Sequence, residues 1–337
     1  MVKLSKETPR FIMLVGLPAS GKSTVAEELM KDRDDILYLS SDKLRQEKLG
    51  DVNNQNNNTD IFEVMRKESI KALKEGKHVI YDATSINRKR RKGLLQQLPK
   101  DVEKIALYMA TPYDEVIERN EQRERVVPQD VIERMYKNMH VPIYSEGWDK
   151  IIFEHTDDVE EYDMPKQFTD AIRAGVLFGR EGYELMQFLA SYFTEFFKIY
   201  DMPHDSKWHS LSVSRHIYQV YKYILDNYEG EDKEVMLWTA LLHDVGKYYC
   251  KSFVNRKGEE TVHANFIGHE NVGAQIAIPF LKTMNFDDEF IHKVATLIQF
   301  HMYLLDENAS KEKLKGYVGN DTYIKLDILR DADTKAH

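Results

Sequence analysis

Residues 11–24 read Phe-Ile-Met-Leu-Val-Gly-Leu-Pro-Ala-Ser-Gly-Lys-Ser-Thr, and they limit what this chain can fold into more than any other stretch. Phe11 to Val15 is a run of five apolar residues, as in a strand covered on both faces. Gly16 to Ser23 fits G-x-x-x-x-G-K-[ST], and residues 25–30 continue with a helical pattern. Strand, glycine loop and helix in that order aim backbone N–H groups and the positive end of a helix at one point, which makes a cradle for phosphate. Gly16 and Gly21 allow the sharp turn, and Ser20 and Thr24 belong to the same cradle. Lys22 reaches the β- and γ-phosphates, and the Ser23 hydroxyl meets Mg²⁺. The plainer reading is a glycine turn with a chance lysine, and eight matched positions with the right flanks weigh against it. A nucleoside-triphosphate site is expected, with ATP and Mg²⁺ as ligands.

The 337 residues suffice for two domains of common size. No apolar run reaches 18 residues, so no membrane span is expected, and residues 1–10 lack the apolar core of a signal peptide. A single cysteine, Cys250, excludes an internal disulfide and a cysteine-rich zinc site, which makes a reducing, cytoplasmic setting the default. The net charge of −9 is unevenly spread. Residues 1–150 hold 27 Lys+Arg against 25 Asp+Glu, a net of +2, and the rest holds 20 against 31, a net of −11. Ten of the twelve histidines lie in that acidic second part. Acidic and histidine-rich together point to divalent metal there rather than to a polyanion-coated face.

Along the chain, residues 36–40 read as a strand leading into Ser41-Asp42-Lys-Leu-Arg45. The Asn-rich run 51–60 has no apolar period and reads as a flexible loop. A helical pattern over 61–75 is closed by Gly76, and a strand at 78–81 ends in Asp82. The basic run Arg88-Lys-Arg-Arg-Lys92 follows, then a strand at 104–110. A charged helix is expected from 113 to about 125, a second over 129–136 behind Pro128, and a last strand at 151–153. Alternating strands and helices mean a parallel α/β sheet flanked by helices. From Gln167 strand signals stop and helical periods cover 167–199, 212–228, 233–249, 269–284, 286–305 and 321–335. The acidic run 157–163 and Pro165 mark the boundary, giving domains over 8–160 and 167–337, the second an all-α bundle.

Asp42 and Asp82 stand at the carboxyl ends of strands, the edge where open α/β sheets bind ligands. A carboxylate there can take a proton from an attacking hydroxyl or hold Mg²⁺ through water, although Asp also caps helices well. Arg45, one helical turn after Asp42, suits a substrate that carries phosphate. Arg119 and Arg123 are four residues apart on an expected helix, so both can face the triphosphate as a lid, or else share a solvated face with Glu115, Glu118 and Glu124. The run 88–92 could grip a nucleic-acid backbone or be a solvated face.

Gly16 to Ser23, Ser41 to Arg45, residues 82–91 beginning Asp-Ala-Thr, and Arg119-Asn-Glu-Gln-Arg123 with Val127-Pro128 resemble, in order and spacing, the phage-type polynucleotide 5′-kinase domain over about residues 10–150. The resemblance implies that Asp42 is the general base on a 5′-hydroxyl and that Arg45 binds the acceptor phosphate. It further implies lid roles for Arg119 and Arg123 on the donor phosphates, and support of the acceptor side by Asp82.

In the second part, His216 falls in one helical pattern, and His243-Asp244 falls in another, within Leu241-Leu-His-Asp-Val-Gly-Lys247. His269 follows Gly268, His301 ends an apolar pattern, and Asp331 and Asp333 close the chain. A carboxylate in an apolar helix is costly without a paired charge, and a metal ion supplies one. Imidazole and carboxylate from separate helices make a mixed N/O site suited to Mn²⁺, Fe²⁺ or a similar ion. A lone histidine is more often a satisfied core residue, but four such helices argue otherwise. The wording of 209–216, 243–247 and 266–270 resembles the HD phosphohydrolase superfamily. That likeness implies metal ligation by His216, His243, Asp244, His269, His301 and a final aspartate, Asp333 in preference to Asp331. It implies substrate-phosphate contact by Lys247 and His209, and metals such as Mn²⁺, Ni²⁺, Co²⁺ or Fe²⁺.

Joined, the two likenesses imply an RNA end-healing enzyme that phosphorylates 5′-OH ends and removes 3′-phosphate or 2′,3′-cyclic phosphate. Its expected partners are RNA or DNA ends, an NTP donor and a separate downstream ligase. The alternatives are a small-molecule kinase fused to a nucleotidase, and a non-catalytic nucleotide sensor.

Overall fold

Phe11 to Val15 are fully buried, and β1 (Arg10–Val15) forms the centre of a five-stranded parallel sheet. In sheet order the strands are β2 (Ile36–Ser40), β3 (His78–Asp82), β1, β4 (Glu103–Met109) and β5 (Lys150–Glu154). The computed structural model describes residues 8–50, 58–154, 164–179, 182–207 and 210–336. Most of the Asn-rich run, the acidic run 157–163 and His209 therefore lie outside the described residues. Two compact units result: Met1–Met135 with Pro142–Asp158, and Tyr136–Val141 with Val159–His337.

In the first unit the helices are α1 (Lys22–Met30), α2 (Ser41–Leu49), α3 (Asn58–Lys74), α4 (Arg88–Leu95), α5 (Tyr113–Glu121) and the start of α6 (Gln129–Asn138). Alternation along the strands sends Ile12, Leu14, Ile80, Ile105 and Leu107 to one face, where Ala26 and Leu29 of α1 close over them. Leu14 and Ser40 are both in register with Asp82, so the ends of β1, β2 and β3 lie level. That common edge carries the glycine loop, the start of α2 and Asp82. The expected helix to residue 125 stops instead at Glu121. Asn120, buried, donates to the Val127 carbonyl (2.9 Å) and accepts from the Val127 N–H (3.0 Å), which turns the chain back.

The basic run 88–92 is not one cationic face. Arg91 is buried and forms a bidentate pair with Glu146, both bonds 2.7 Å, while Arg88 approaches the same carboxylate at 3.7 Å. Glu146 also accepts from Trp148 Nε1 and the Ile143 N–H, both at 3.2 Å, and Arg91 donates to the Ser85 carbonyl. Breaking such a satisfied pair strands a buried charge, so Glu146→Ala should destabilise this unit by about 3–5 kcal/mol. Glu146→Gln, which keeps shape and part of the bonding, should lose less. Urea unfolding checks this, and a loss under about 1 kcal/mol for Glu146→Ala would show the network to be energetically idle.

The second unit contains α7 (Lys166–Phe178), α8 (Glu184–Tyr192), α9 (Thr194–Ile199), α10 (Val213–Asn227), α11 (Lys233–Leu242), α12 (Lys247–Cys250), β6 (Ser252–Val254), β7 (Glu260–Asn265), α13 (His269–Thr283), α14 (Asp288–Phe300) and α15 (Lys311–Lys335). It is the expected helical region, with four differences in detail. The single period over 167–199 breaks into three helices, at Gly179 and at the extended Phe193. The pattern over 233–249 is interrupted by a turn at residues 243–246. β6 and β7 form an antiparallel hairpin where no strand is expected. The last helix begins at Lys311, with a break at Gly319. No helix among the described residues is long and apolar enough to cross a membrane.

Candidate active sites

The loop between β1 and α1 closes on itself before any ligand is considered. Gly21 takes a left-handed conformation (φ 86°) at the start of α1, and the ammonium of Lys22 donates to the carbonyls of Gly16 (3.1 Å) and Leu17 (2.5 Å). Burial lowers the Lys22 pKa to about 8, with Asp82 and Asp42 pulling it up and Arg123 pushing it down. Those charges are therefore all within reach of the loop lysine. Ser20 is buried, and its carbonyl accepts from Thr111 Oγ1 (3.0 Å), while Ser23 and Thr24 begin the exposed side of α1.

Asp82 is buried against the loop itself. Its Oδ2 accepts from Ser23 Oγ (3.2 Å) and from the Tyr38 hydroxyl (2.6 Å). It thus touches the hydroxyl expected to meet Mg²⁺. Burial, and then the Asp82 carboxylate, raise the Tyr38 pKa, so Tyr38 stays a donor. Asp42 lies in the first turn of α2, which Ser40 caps. Arg45 holds one Asp42 oxygen at 2.7 Å and Arg125 holds the other at 2.8 Å. Arg125 escapes notice in the sequence because it looks like one more charge on an exposed helix; the turn at Asn120 is what redirects it. Of the two lid candidates, Arg119 pairs with Glu115 on α5, and Arg123 sits just past the helix end.

In the second unit the His243-Asp244 pair is not inside a helix but in the turn between α11 and α12. Gly246 explains the turn: a Cβ there would lie 2.3 Å from the His269 carbonyl oxygen and 2.6 Å from the Gly273 nitrogen. Only glycine lets this turn press against the start of α13, and that contact brings His243, Asp244 and His269 together. Two triads form, His216 with His243 and Asp333, and Asp244 with His269 and His301. Asp244 lies between them. Its Oδ2 is 3.5 Å from His216 Nε2 and 3.4 Å from His243 Nε2, while its Oδ1 is 3.3 Å from His269 Nε2 and 4.0 Å from His301 Nε2. Asp333 Oδ1 is 2.8 Å from His216 Nε2, whereas Asp331 is half exposed and pairs with Arg330.

All four imidazoles are oriented alike. His216, His243, His269 and His301 donate from Nδ1 to the carbonyls of Ala336, Ala240, Phe266 and Ile298, at 2.9, 2.8, 2.8 and 2.6 Å. A carbonyl only accepts, so each Nδ1 carries a proton and each Nε2 is the nitrogen left to point inward, free to give a lone pair to a bound cation. His269 and His301 then face each other Nε2 to Nε2 at 3.2 Å, an arrangement that calls for a cation between them. His243 Nε2 is buried without a well-formed hydrogen bond. Inward-pointing imidazole nitrogens and carboxylates are a donor set that fits divalent metal. Burial would lower the His243 pKa, but Asp244 and Asp333 overcome this and raise it, so a metal ion would take the place of a proton there. Burial drives the His301 pKa down to about 3, with His269 and His243 adding to it. Burial would raise Asp244, but Lys247 and His243 overcome it and hold the carboxyl well below its usual range.

Lys247 is buried, with its Nζ 2.6 Å from Asp244 Oδ2 and 3.0 Å from His204 Nε2. His204 carries no motif of its own in the sequence. It donates from Nδ1 to the Leu211 carbonyl (2.7 Å), so its Nε2 accepts from Lys247. Its only sequence signal is its position just ahead of the motif at 209–216.

Family comparisons agree with this division. Residues 11–142 match the AAA domain family and residues 209–335 the HD domain family. The chain thus carries an N-terminal P-loop kinase domain and a C-terminal HD domain. Among curated proteins it is 28% identical to an L-seryl-tRNA(Sec) kinase of Methanococcus maripaludis over 149 residues, 41% of this chain and 55% of that protein. It is 40% identical over 68 residues to a CC-adding tRNA nucleotidyltransferase of Thermus thermophilus, 20% of this chain and 15% of that one. The chain thus spans about half of the first relative and a small part of the second. Among solved structures, a chain of the Pnkp1/Rnl/Hen1 complex overlays with a TM-score of 0.32 at 23% identity, covering 38% of this chain and 43% of that one. A gluconokinase from Sinorhizobium meliloti overlays with a TM-score of 0.34 at 16% identity, covering 45% and 85%.

Proposed function

We propose that the protein heals RNA ends: the P-loop domain phosphorylates a 5′-hydroxyl from ATP, and the HD domain removes a 3′-phosphate or 2′,3′-cyclic phosphate. The domains run over 8–160 and 167–337, except that Tyr136–Val141 group with the second compact unit. One observation carries the reading of the first site, namely Asp42 held between the guanidiniums of Arg45 and Arg125 at the sheet edge that bears the phosphate loop. A proton acceptor flanked by two phosphate-binding groups suits an acceptor hydroxyl that arrives with its own phosphate, as in a polynucleotide. Both curated relatives are tRNA enzymes by name, which supports the same substrate class.

At the kinase site the 5′-oxygen bonds to the γ-phosphorus as the β–γ bridging P–O bond breaks. Asp42 takes the hydroxyl proton, ADP leaves, and Lys22 with Arg123 and Arg119 offsets the charge on the phosphates. Ser23, backed by Asp82, would hold Mg²⁺. Arg45 and Arg125 hold the acceptor phosphate and so position the hydroxyl beside Asp42.

At the HD site a water oxygen bonds to phosphorus, one ester P–O bond breaks, and the released sugar oxygen takes a proton. Repetition on the monoester frees inorganic phosphate and leaves a 3′-OH. The two triads would hold divalent ions such as Mn²⁺, Ni²⁺, Co²⁺ or Fe²⁺, which would supply Lewis acidity and lower the pKa of water. Lys247 neutralises substrate phosphate, and His204 keeps its ammonium in place. The healed ends are those that a separate ligase joins.

Phosphate transfer from γ-labelled ATP to a 5′-OH oligonucleotide, compared with a nucleoside, tests the kinase reading. Oligonucleotide should be preferred at least tenfold in kcat/KM, and a preference for the nucleoside would overturn it. His301→Ala bears on the metal reading. Metal analysis of the folded variant should show two ions per chain falling to one, and an unchanged count would remove His301 from the site.

A further inference from the structure

The chain that leaves the HD site differs in composition from its surroundings. Residues 245–258 hold four Lys or Arg and three aromatic residues with no Asp or Glu, although the half they belong to carries a net charge of −11. They form α12, β6 and most of the hairpin turn, which closes with Glu259 before β7 opens with Glu260. Both arms of that hairpin begin at the site. β6 follows the short helix that starts with Lys247, and β7 leads through Phe266, whose carbonyl holds the His269 ring, to His269 itself.

Apolar and aromatic surface is displayed along this path rather than buried. Tyr248 is 47% exposed, Phe253 and Val254 are 45% exposed, and Val262 on the facing strand is 89% exposed. The Tyr248 and Tyr249 rings meet edge to face at 5.2 Å, and the Lys198 ammonium lies 5.4 and 4.7 Å from their centroids. Lys251 is already paired with Asp205 at 2.7 Å, so its charge is spent within the fold. Arg256 and Lys257 are exposed at the hairpin end. With Asn255, Thr261, His263, Asn265 and Ile267 they line a shallow, open concavity of mixed polar and apolar surface. From Ser252 to this end is about 10–13 Å at roughly 3.3 Å per residue of strand. Exposed rings followed by cations, leading away from a phosphoesterase site, match what holds single-stranded nucleic acid: a π-face for each base and a positive charge for each phosphate.

We propose that the surface of α12, β6 and β7 is the track for the single strand whose 3′ end enters the HD site, with Tyr248 and Phe253 stacking bases and Arg256 and Lys257 contacting backbone phosphates. The proposal rests on the end-healing reading for its substrate. A mononucleotide would end before the hairpin and gain nothing from it.

The test uses the full-length protein, Phe253→Ala, and the double variant Arg256→Glu/Lys257→Glu. Binding of a fluorescent ten-nucleotide RNA ending in 3′-OH reads the track without any catalysis. Phe253→Ala should weaken binding roughly 5- to 100-fold, the loss of one stacked base. The charge variant should reduce the slope of log affinity against log salt by about 1.4, two phosphate contacts at roughly 0.7 each. In the hydrolysis arm, KM for a ten-nucleotide RNA with a 2′,3′-cyclic phosphate should rise in the same variants, while kcat/KM for a 2′,3′-cyclic mononucleotide stays at the wild-type value. Wild-type affinity and salt slope in both variants would overturn the track even if cyclic phosphate is removed. Failure of the wild-type protein to act on either cyclic phosphate would overturn the end-healing reading instead, and the binding arm would still decide the track.

Discussion

Asp244→Ala should abolish removal of a 2′,3′-cyclic phosphate while leaving phosphorylation of a 5′-OH end at the wild-type rate. Among the described residues, Asp244 is the carboxylate shared by both imidazole groups, with one oxygen toward His216 and His243 and the other toward His269 and His301. It also neutralises buried Lys247 at 2.6 Å. Truncation therefore removes one donor of the triad with His269 and His301, takes away the carboxylate oxygen that faces His216 and His243, and leaves an ammonium without its nearest anion. The loss should exceed the roughly 10–100-fold typical of removing a group that only orients a ligand. Metal content should fall in parallel. Asp244→Asn retains the shape and tests the same loss where the alanine variant folds poorly. Retention of bound metal and of at least a tenth of the esterase rate in either folded variant would contradict the shared-carboxylate arrangement.

Asp42→Asn should lower the 5′-kinase rate by roughly 10²–10⁴-fold, the range for losing a general base, with esterase activity unchanged. The amide keeps a carbonyl oxygen that Arg45 or Arg125 can hold, so ATP binding and the fold should survive. The defect should therefore appear in kcat more than in the KM for ATP. Near wild-type turnover would remove Asp42 from the chemistry and leave it as an anchor for the two arginines.

The features legible in the sequence are those in which residue type and spacing are themselves the physical requirement. A strand buried on both faces must be apolar throughout, and a phosphate loop needs glycine, lysine and hydroxyl at fixed places. Phe11 to Ser23 therefore reads directly. The imidazoles were legible because charge and histidine are rare in apolar helical patterns, as at His216 and His301. What escaped depends on contacts between distant residues. Gly246 looks like an ordinary helix interruption until the His269 carbonyl is found 2.3 Å from where its Cβ would be. Arg91 reads as a surface charge because its partner, Glu146, is 55 residues away. Arg125 and His204 become site residues only through turns fixed by Asn120 and by the Leu211 carbonyl. The β6–β7 hairpin escapes notice because its strands are short and largely exposed, with Phe253, Val254 and Val262 facing outward, which leaves no buried apolar face to read. Asp331 and Asp333 are two residues apart on one helix, and packing alone turns the second toward His216.

The most direct measurement is product analysis, by mass spectrometry, of one RNA bearing a 5′-OH and a 2′,3′-cyclic phosphate after incubation with ATP, Mg²⁺ and Mn²⁺. Two independent sites should give 5′-phosphate and 3′-OH on the same molecule. Lys22→Ala should yield only the healed 3′ end and Asp244→Ala only the phosphorylated 5′ end. An RNA unchanged at both ends, or loss of both reactions in either single variant, would contradict a protein that heals each end at its own site.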